Sequence, residues 1–486
     1  MTAGKILHFV QDDSRRGSFT LFRMTNRRRS FGTTIRKDTN YLKNNYFCRF
    51  IIKYPQNMTK KLIYRYIGVI CMAVAALLNT SCEKFEAQTP EQEHRTFILF
   101  SMGFNNLSGA LKSDIDDLVK HSLSKDHKNC NLVVFSHHTS GGSTYSIPTS
   151  PVLTHIYKDD ADNIVRDTLL VMSPNTISPS AETVRTVLEF VQENFKSDKY
   201  GMLVSSHGTG WAPENYCNYP DRYDNVPGSS IWKVSEKDHG IPAPLMDGTP
   251  DVKSIGVHNT SKSEVIEMDI TDLAEAIPMK MDYIIFDACF MGCVEVAYEL
   301  REKCGMMVFS QTEILADGMD YKTMLSYLFN PAGTDLKGFC ENYYQYYNKG
   351  SEKSATISLI DCSRLEPLTL ACKDIFEKYG DRIRTLITEA LPIQRYYRTA
   401  YAKNHGWFYD LESIMINSGA TKDELDLLNT TLRYCVKYKA ATEKFMGNIE
   451  LKHHSGLSMY LPYENRTYLN DFYKTLKWNQ DTGLVQ

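Results

Sequence analysis

Between residues 96 and 310 the chain alternates short, continuous apolar runs with polar stretches whose apolar residues recur at helical spacing. Thr96–Met102 (TFILFSM), Asn131–Ser136 (NLVVFS), Thr168–Met172 (TLLVM), Tyr200–Ser205 (YGMLVS), Tyr283–Phe286 (YIIF) and Met306–Ser310 (MMVFS) have the length and residue types of strands. Leu111–Ser124 reads as an amphipathic helix. A second helix starts at Ser178–Glu182, which holds capping residues, and carries Val184, Val187, Leu188 and Val191 along one face. Strands that are apolar throughout, rather than alternating, are buried on both faces. The pattern therefore predicts an α/β fold, a mostly parallel sheet flanked by helices. In such sheets functional groups gather at the carboxyl ends of the strands.

The rhythm breaks at Pro213–Ser263, which has six prolines and few apolar residues. A loop this long inside a compact domain predicts a functional flap or an insert. After about Lys349 the pattern is helix-rich (Arg364–Tyr379, Arg382–Leu391, Lys422–Phe445) and closes on a strand-like Gly456–Leu461. This predicts a helix-rich C-terminal subdomain, residues 349–486, packed on a main domain of residues 96–348. Internal repeats are absent from the sequence.

Composition adds a targeting segment. The 486 residues are 42% hydrophobic and 12% aromatic, enough for a substantial core. No apolar window reaches the roughly 18 residues of a spanning helix. The longest run, Ile67–Leu78, follows Met58, Lys60, Lys61 and Arg65 and leads into Thr80-Ser81-Cys82. A charged segment, a short apolar segment and small residues make a signal peptide over residues 58–81. The terminal cysteine resembles that of bacterial lipoproteins and makes Cys82 the expected lipidation site, although Asn79 stands where an aliphatic residue is usual. Residues 82–95 then form a polar tether, and residues 1–57 an upstream extension with no structural role. The expected location is the bacterial cell envelope, anchored to a membrane through lipid.

Charge excludes one class of partner. Residues 1–57 carry +9 and residues 58–81 carry +3, so the whole-chain −3 leaves −15 on residues 82–486. A chain that acidic repels nucleic acid and attracts basic substrates. The 12 cysteines show neither a disulfide framework nor zinc spacing. His137-His138 and His453-His454 also match no standard metal site, and no cofactor is required.

Two segments share one form, an apolar strand running into a polar tip: Met202-Leu-Val-Ser-Ser-His-Gly-Thr-Gly-Trp211 and Tyr283-Ile-Ile-Phe-Asp-Ala-Cys-Phe-Met-Gly292. They put His207 and Cys289 at one sheet edge. A cysteine nucleophile needs thiolate character and a partner that takes and returns protons, and histidine does both near neutral pH. The N–H groups of Gly208 and Cys289 could hold an oxyanion. Trp211 could wall the cleft, and a helix over Met291–Glu302 would set Cys289 at its positive end. Each residue alone has an ordinary alternative, a loop histidine or an inert buried cysteine. The two matched tips together carry the argument.

Ser206-His207-Gly208-Thr209-Gly210-Trp211 and Asp287-Ala288-Cys289-Phe290-Met291-Gly292 resemble the active-site motifs of the clostripain family, whose fold is that of caspases, gingipains and legumain. Met102-Gly-Phe-Asn-Asn-Leu107, Ile270–Ile277 and Gly456–Pro462 resemble further family segments, so the likeness spans roughly residues 95 to 465. The resemblance implies a caspase-like cysteine endopeptidase with His207 as general acid/base and Cys289 as nucleophile. It also implies that Asp287 and Asp317 line a pocket for Arg or Lys of a protein or peptide substrate. Turn or cap for Asp287, and solvated loop for Asp317, are the plain alternatives. Calcium dependence occurs in the family, but no calcium loop is recognisable here. The 82 positions from His207 to Cys289 are more than the family leads one to expect. Some relatives are zymogens cut in this interval, which here offers Arg222, Lys233, Lys237, Lys253 and Lys262. The competing expectation is a non-catalytic envelope lipoprotein that keeps the fold as a binding scaffold. Mass spectrometry of the mature protein is expected to find lipid on Cys82; a chain retaining residues 58–81 would refute the signal.

Overall fold

The computed structural model describes residues 18–21, 33–36, 93–141, 147–214, 216, 223–224, 255–259, 265–349, 353–389, 391–397, 407–447 and 449–486. The chain divides into two units, residues 1–89 and 90–486. In the first, Ser18–Leu21 pairs antiparallel with Thr33–Arg36. The signal segment 58–81, Cys82 and the tether up to residue 92 lie outside the described residues, as do all five candidate cleavage positions.

The second unit is built on a nine-stranded sheet. Its strands are β1 (Arg95–Gly103), β2 (Cys130–His138), β3 (Val152–Lys158), β4 (Ile164–Val171), β5 (Lys199–Ser205), β6 (Met281–Asp287), β7 (Cys304–Phe309), β8 (Thr356–Asp361) and β9 (Val436–Ala441). The order across the sheet is β9-β8-β7-β6-β5-β1-β2-β3-β4. The central five strands are parallel to one another. Two strands on each side extend the sheet through antiparallel pairings. Only β3 and β8 therefore run against the common direction, and the sheet is mixed.

Central strands are buried on both faces, as their continuous apolar runs require. Along β1, Ile98, Phe100 and Met102 enter one core while Phe97 and Leu99 enter the other. The first core is covered by helices α2 (Ala181–Asn194), α3 (Ile270–Ala276), α4 (Val294–Glu299), α6 (Leu365–Thr385) and α7 (Lys422–Cys435). The second lies under α1 (Ser108–Asp117) and α5 (Leu336–Tyr347). In α2 the Ser180 hydroxyl accepts from the Thr183 N–H at 3.2 Å, and the expected Val184, Val187, Leu188 and Val191 face is buried.

Three elements differ from expectation. Val152–Lys158 and Ile164–Val171 form an edge hairpin where one short strand was expected. Lys422–Phe445 is a helix only to Cys435, after which Val436–Ala441 becomes the opposite edge strand. Through β8 and β9, residues 349–486 are built into the sheet rather than standing beside it as a subdomain. Edge strands are buried on one face at most, so they alternate and lack the continuous apolar run of a central strand.

Gly201 in β5 lies opposite Tyr283 in β6, and a Cβ there would overlap the tyrosine ring. Gly201→Val is expected to cost about 1–3 kcal/mol, an overpacking penalty. Urea unfolding with an unchanged midpoint would show that the ring is free to move aside.

Candidate active site

Ser205 and Asp287 are paired neighbours at the ends of β5 and β6. His207 and Cys289 each lie two residues further on, so the two tips leave the sheet side by side. Gly208 presses on the second tip: a Cβ there would come within 2.8 Å of the Cys289 carbonyl oxygen and 3.2 Å of its nitrogen. Only glycine admits that approach.

His207 is fully buried. Its Nε2 lies 2.7 Å from Asn106 Oδ1. An amide oxygen only accepts, so in this arrangement Nε2 carries a proton. Neighbouring Asn105 secures the loop, donating to the carbonyls of Met102 at 3.0 Å and Val257 at 2.9 Å and accepting from the Leu107 N–H at 2.8 Å. Sequence reasoning noted the Asn-Asn-Leu segment but gave Asn106 no role, because the contact spans 101 positions. Val257 belongs to Ile255–Asn259, which pairs with Val265–Met268. The Gly256 N–H also donates to the His207 carbonyl at 3.2 Å. The far end of the Pro-rich insert therefore packs against the histidine loop.

Cys289 is 2% exposed, and the Ile314 N–H reaches its Sγ at 3.4 Å. The thiol in turn donates to the Ile314 carbonyl at 3.8 Å. The helix expected from Met291 begins instead at Val294, five residues past Cys289 and outside the reach of its dipole. Residues 290–292 bond to neighbouring segments rather than winding up: the Phe290 N–H donates to Thr312 O at 3.0 Å and the Gly292 N–H to Ser310 O at 2.7 Å. Phe290 has φ 59° and stacks on Phe408 at 4.7 Å with planes 7° apart. Gly210, φ 61°, fits where a Cβ would be 2.8 Å from both Phe290 O and the Phe408 ring. Trp211 does not wall a cleft: it is fully buried, 4.8 Å from the Tyr460 ring and 4.9 Å from that of Tyr473. It braces the histidine loop from within.

Asp287 is buried beneath the loop Ile314–Tyr321. It accepts from the Tyr321 hydroxyl at 2.6 Å and the Ser205 hydroxyl at 3.1 Å. Burial pushes its carboxyl up, against the pull of hydrogen bonds from Tyr321, Ser205 and the Met319 N–H. Gly318 packs on it, with room for no side chain: a Cβ would stand 2.8 Å from Oδ2. Asp317, next to that glycine, is exposed.

Among the described residues, Asp410, Glu412 and His453 bring ligand atoms within 4.8 Å of one another. His453 Nε2 lies 2.9 Å from Glu412 and 3.2 Å from Asp410, and these carboxylates raise its pKa to about 10. Asp410 also accepts from the N–H groups of Ser413 and Ser455 and from the Tyr396 hydroxyl. Calcium takes six to eight oxygen ligands. Two engaged carboxylates and an imidazole do not fit it, and the group is an ion-pair clamp.

A histidine tip and a cysteine tip on adjacent parallel strands define an α/β cysteine-peptidase scaffold. The sequence profile of the Clostripain family matches residues 99–237 and 237–484, and the chain belongs to that family. Clostripain of Hathewaya histolytica is 24% identical over 259 residues, 49% of this chain and 43% of that relative. The chain thus spans less than half the length of that curated relative. The inactive zymogen of a C11 protease from Parabacteroides distasonis has a TM-score of 0.63 at 25% identity, covering 81% of this chain and 99% of that one. A secreted C11 cysteine protease from Bacteroides thetaiotaomicron, in complex with an irreversible peptide inhibitor, has the same fold. Its TM-score is 0.61 at 21% identity, covering 80% and 99%.

Asn106→Ala frees the imidazole to rotate. It is expected to lower kcat toward peptide reporters on the order of 10²-fold with KM nearly unchanged. An unaltered kcat would remove Asn106 from the site.

Proposed function

We propose that the chain is a cysteine endopeptidase that cuts after Arg or Lys, with Cys289 as nucleophile and His207 as general acid and base. The pairing of Ser205 with Asp287, which sets the two tips side by side, carries the proposal. His207 Nδ1 takes the thiol proton, and the sulfur attacks the carbonyl carbon of the scissile bond. The N–H groups of Gly208 and Cys289 receive the oxyanion. Collapse of the tetrahedral intermediate breaks the C–N bond, and the imidazolium returns its proton to the leaving amine. Water, deprotonated by His207, then releases the acyl group and restores the thiol. The steps need no cofactor.

Asp287 and Asp317 are the carboxylates proposed to receive the basic side chain. Burial of both dyad residues supports a latent form opened by a cut in the 213–263 insert, in line with the inactive zymogen among the similar structures. Export as a lipoprotein anchored through Cys82 remains the expected location, and the acidic mature chain argues against nucleic-acid partners.

Arg- and Lys-ended peptide reporters are expected to be cleaved by the processed protein and not by Cys289→Ala. Activity that survives the substitution sinks the proposed nucleophile. Failure of a peptidyl electrophile ending in Arg to label processed wild type would instead favour the non-catalytic scaffold.

A further inference from the structure

Helix α1 leaves the Asn105–Leu107 loop and crosses the same side of the sheet as the loop that buries Asp287. The two are tied together. The Leu325 N–H donates to the Ser122 hydroxyl at 2.6 Å, and Lys322 Nζ lies 3.6 Å from Asp117 on α1. Asp114 sits one turn before Asp117, so it is on the face of α1 turned toward residues 317–322. Its side chain is nine-tenths buried, yet its Oδ2 has no hydrogen-bond partner among the described residues. Nor does any ion pair among the described residues involve Asp114, Asp287 or Asp317. A buried carboxylate without donor or cation is costly. Such a group stays neutral unless a cation reaches it.

We propose that Asp114 is a third carboxylate of the primary specificity pocket, sharing with Asp287 the cationic end of the substrate's Arg or Lys side chain. This rests on the basic-residue preference proposed above and adds a residue that the motif comparison did not single out. The sequence signal was weak: Asp114 is one of three acids in Ser-Asp-Ile-Asp-Asp, a run that also suits an exposed helix face.

The charges facing Asp114 are Asp287 from β6, Asp117 from its own helix and Asp317 from the pocket loop; the hydroxyls of Tyr321 and Tyr346 also act with it. Lys112 donates to the Thr139 carbonyl and Lys322 pairs with Asp117. Burial first, and these carboxylates second, push the Asp114 carboxyl up to about 9. In the free enzyme at neutral pH it therefore holds a proton. A guanidinium or ammonium entering the pocket favours the charged form and expels that proton. Discrimination for a cation should thus strengthen as pH rises and level off above about 9.

The test compares kcat/KM for a reporter ending in Arg with that for the isosteric, uncharged citrulline, from pH 6 to 10, on processed enzyme. Dyad ionisation affects both reporters alike and cancels in the ratio. In wild type the Arg/citrulline ratio is expected to climb by up to about tenfold per pH unit below 9. In Asp114→Asn the slope should be smaller than in wild type, with the ratio at least about tenfold lower at pH 9. A structural role would slow both reporters equally and leave the ratio and its slope unchanged. If Asp114→Asn does not fold, a wild-type ratio that stays flat from pH 6 to 9 is sufficient to overturn the assignment. Arg preference with an unchanged slope in the variant overturns Asp114 alone. No Arg preference in wild type at any pH overturns the basic-residue reading and this inference with it.

Discussion

The parallel pairing of β5 with β6, Ser205 opposite Asp287, sets where everything reactive can go. His207 and Cys289 stand two residues past it, and a slip of one position would turn either tip toward the opposite face. Gly201 under the Tyr283 ring and Gly208 against the Cys289 backbone hold the two segments closer than side chains would permit. The close approach is built from missing Cβ atoms, and so it is unforgiving of substitution.

That pairing needs support from below, and most of it comes from distant sequence. Phe408 stacks on Phe290 and touches Gly210, joining the two tips through one ring. Asp410, two residues on, is held by Tyr396, Ser455 and His453. Trp211 rests on Tyr460 and Tyr473. The C-terminal third of the chain is therefore part of the site's foundation, consistent with its two strands being woven into the same sheet.

Electrostatics divide the site in two. Around His207 and Cys289 the contacts are hydrogen bonds that orient, from the imidazole to Asn106 and from the Ile314 N–H to the sulfur. Around Asp287 they are hydrogen bonds to a buried carboxyl, from the hydroxyls of Tyr321 and Ser205 and from the Met319 N–H. These donors favour the charged form of Asp287, against the burial that pushes its carboxyl up.

The strands of the central sheet, the α2 face and the two tips were legible because each is written locally. Burial on both faces demands continuous apolar residues, and a chain reversal at a reactive tip demands glycine. β3, next to the edge in its hairpin with β4, and edge strand β9 were not, because each is only partly buried and their composition overlaps that of helices and loops. Trp211 was misplaced since an aromatic beside a reactive histidine has the same local signature whether it lines a cleft or fills a core. The thiol's environment was misjudged for a related reason: whether residues 290–293 wind into a helix depends on Ser310, Thr312 and Ser458, which offer them other partners. What the sequence alone determined is the fold class and the residues at the two tips. Partners more than a hundred positions away, Asn106 for His207 above all, were decided only by tertiary structure, because side-chain contacts across strands leave no trace in local pattern.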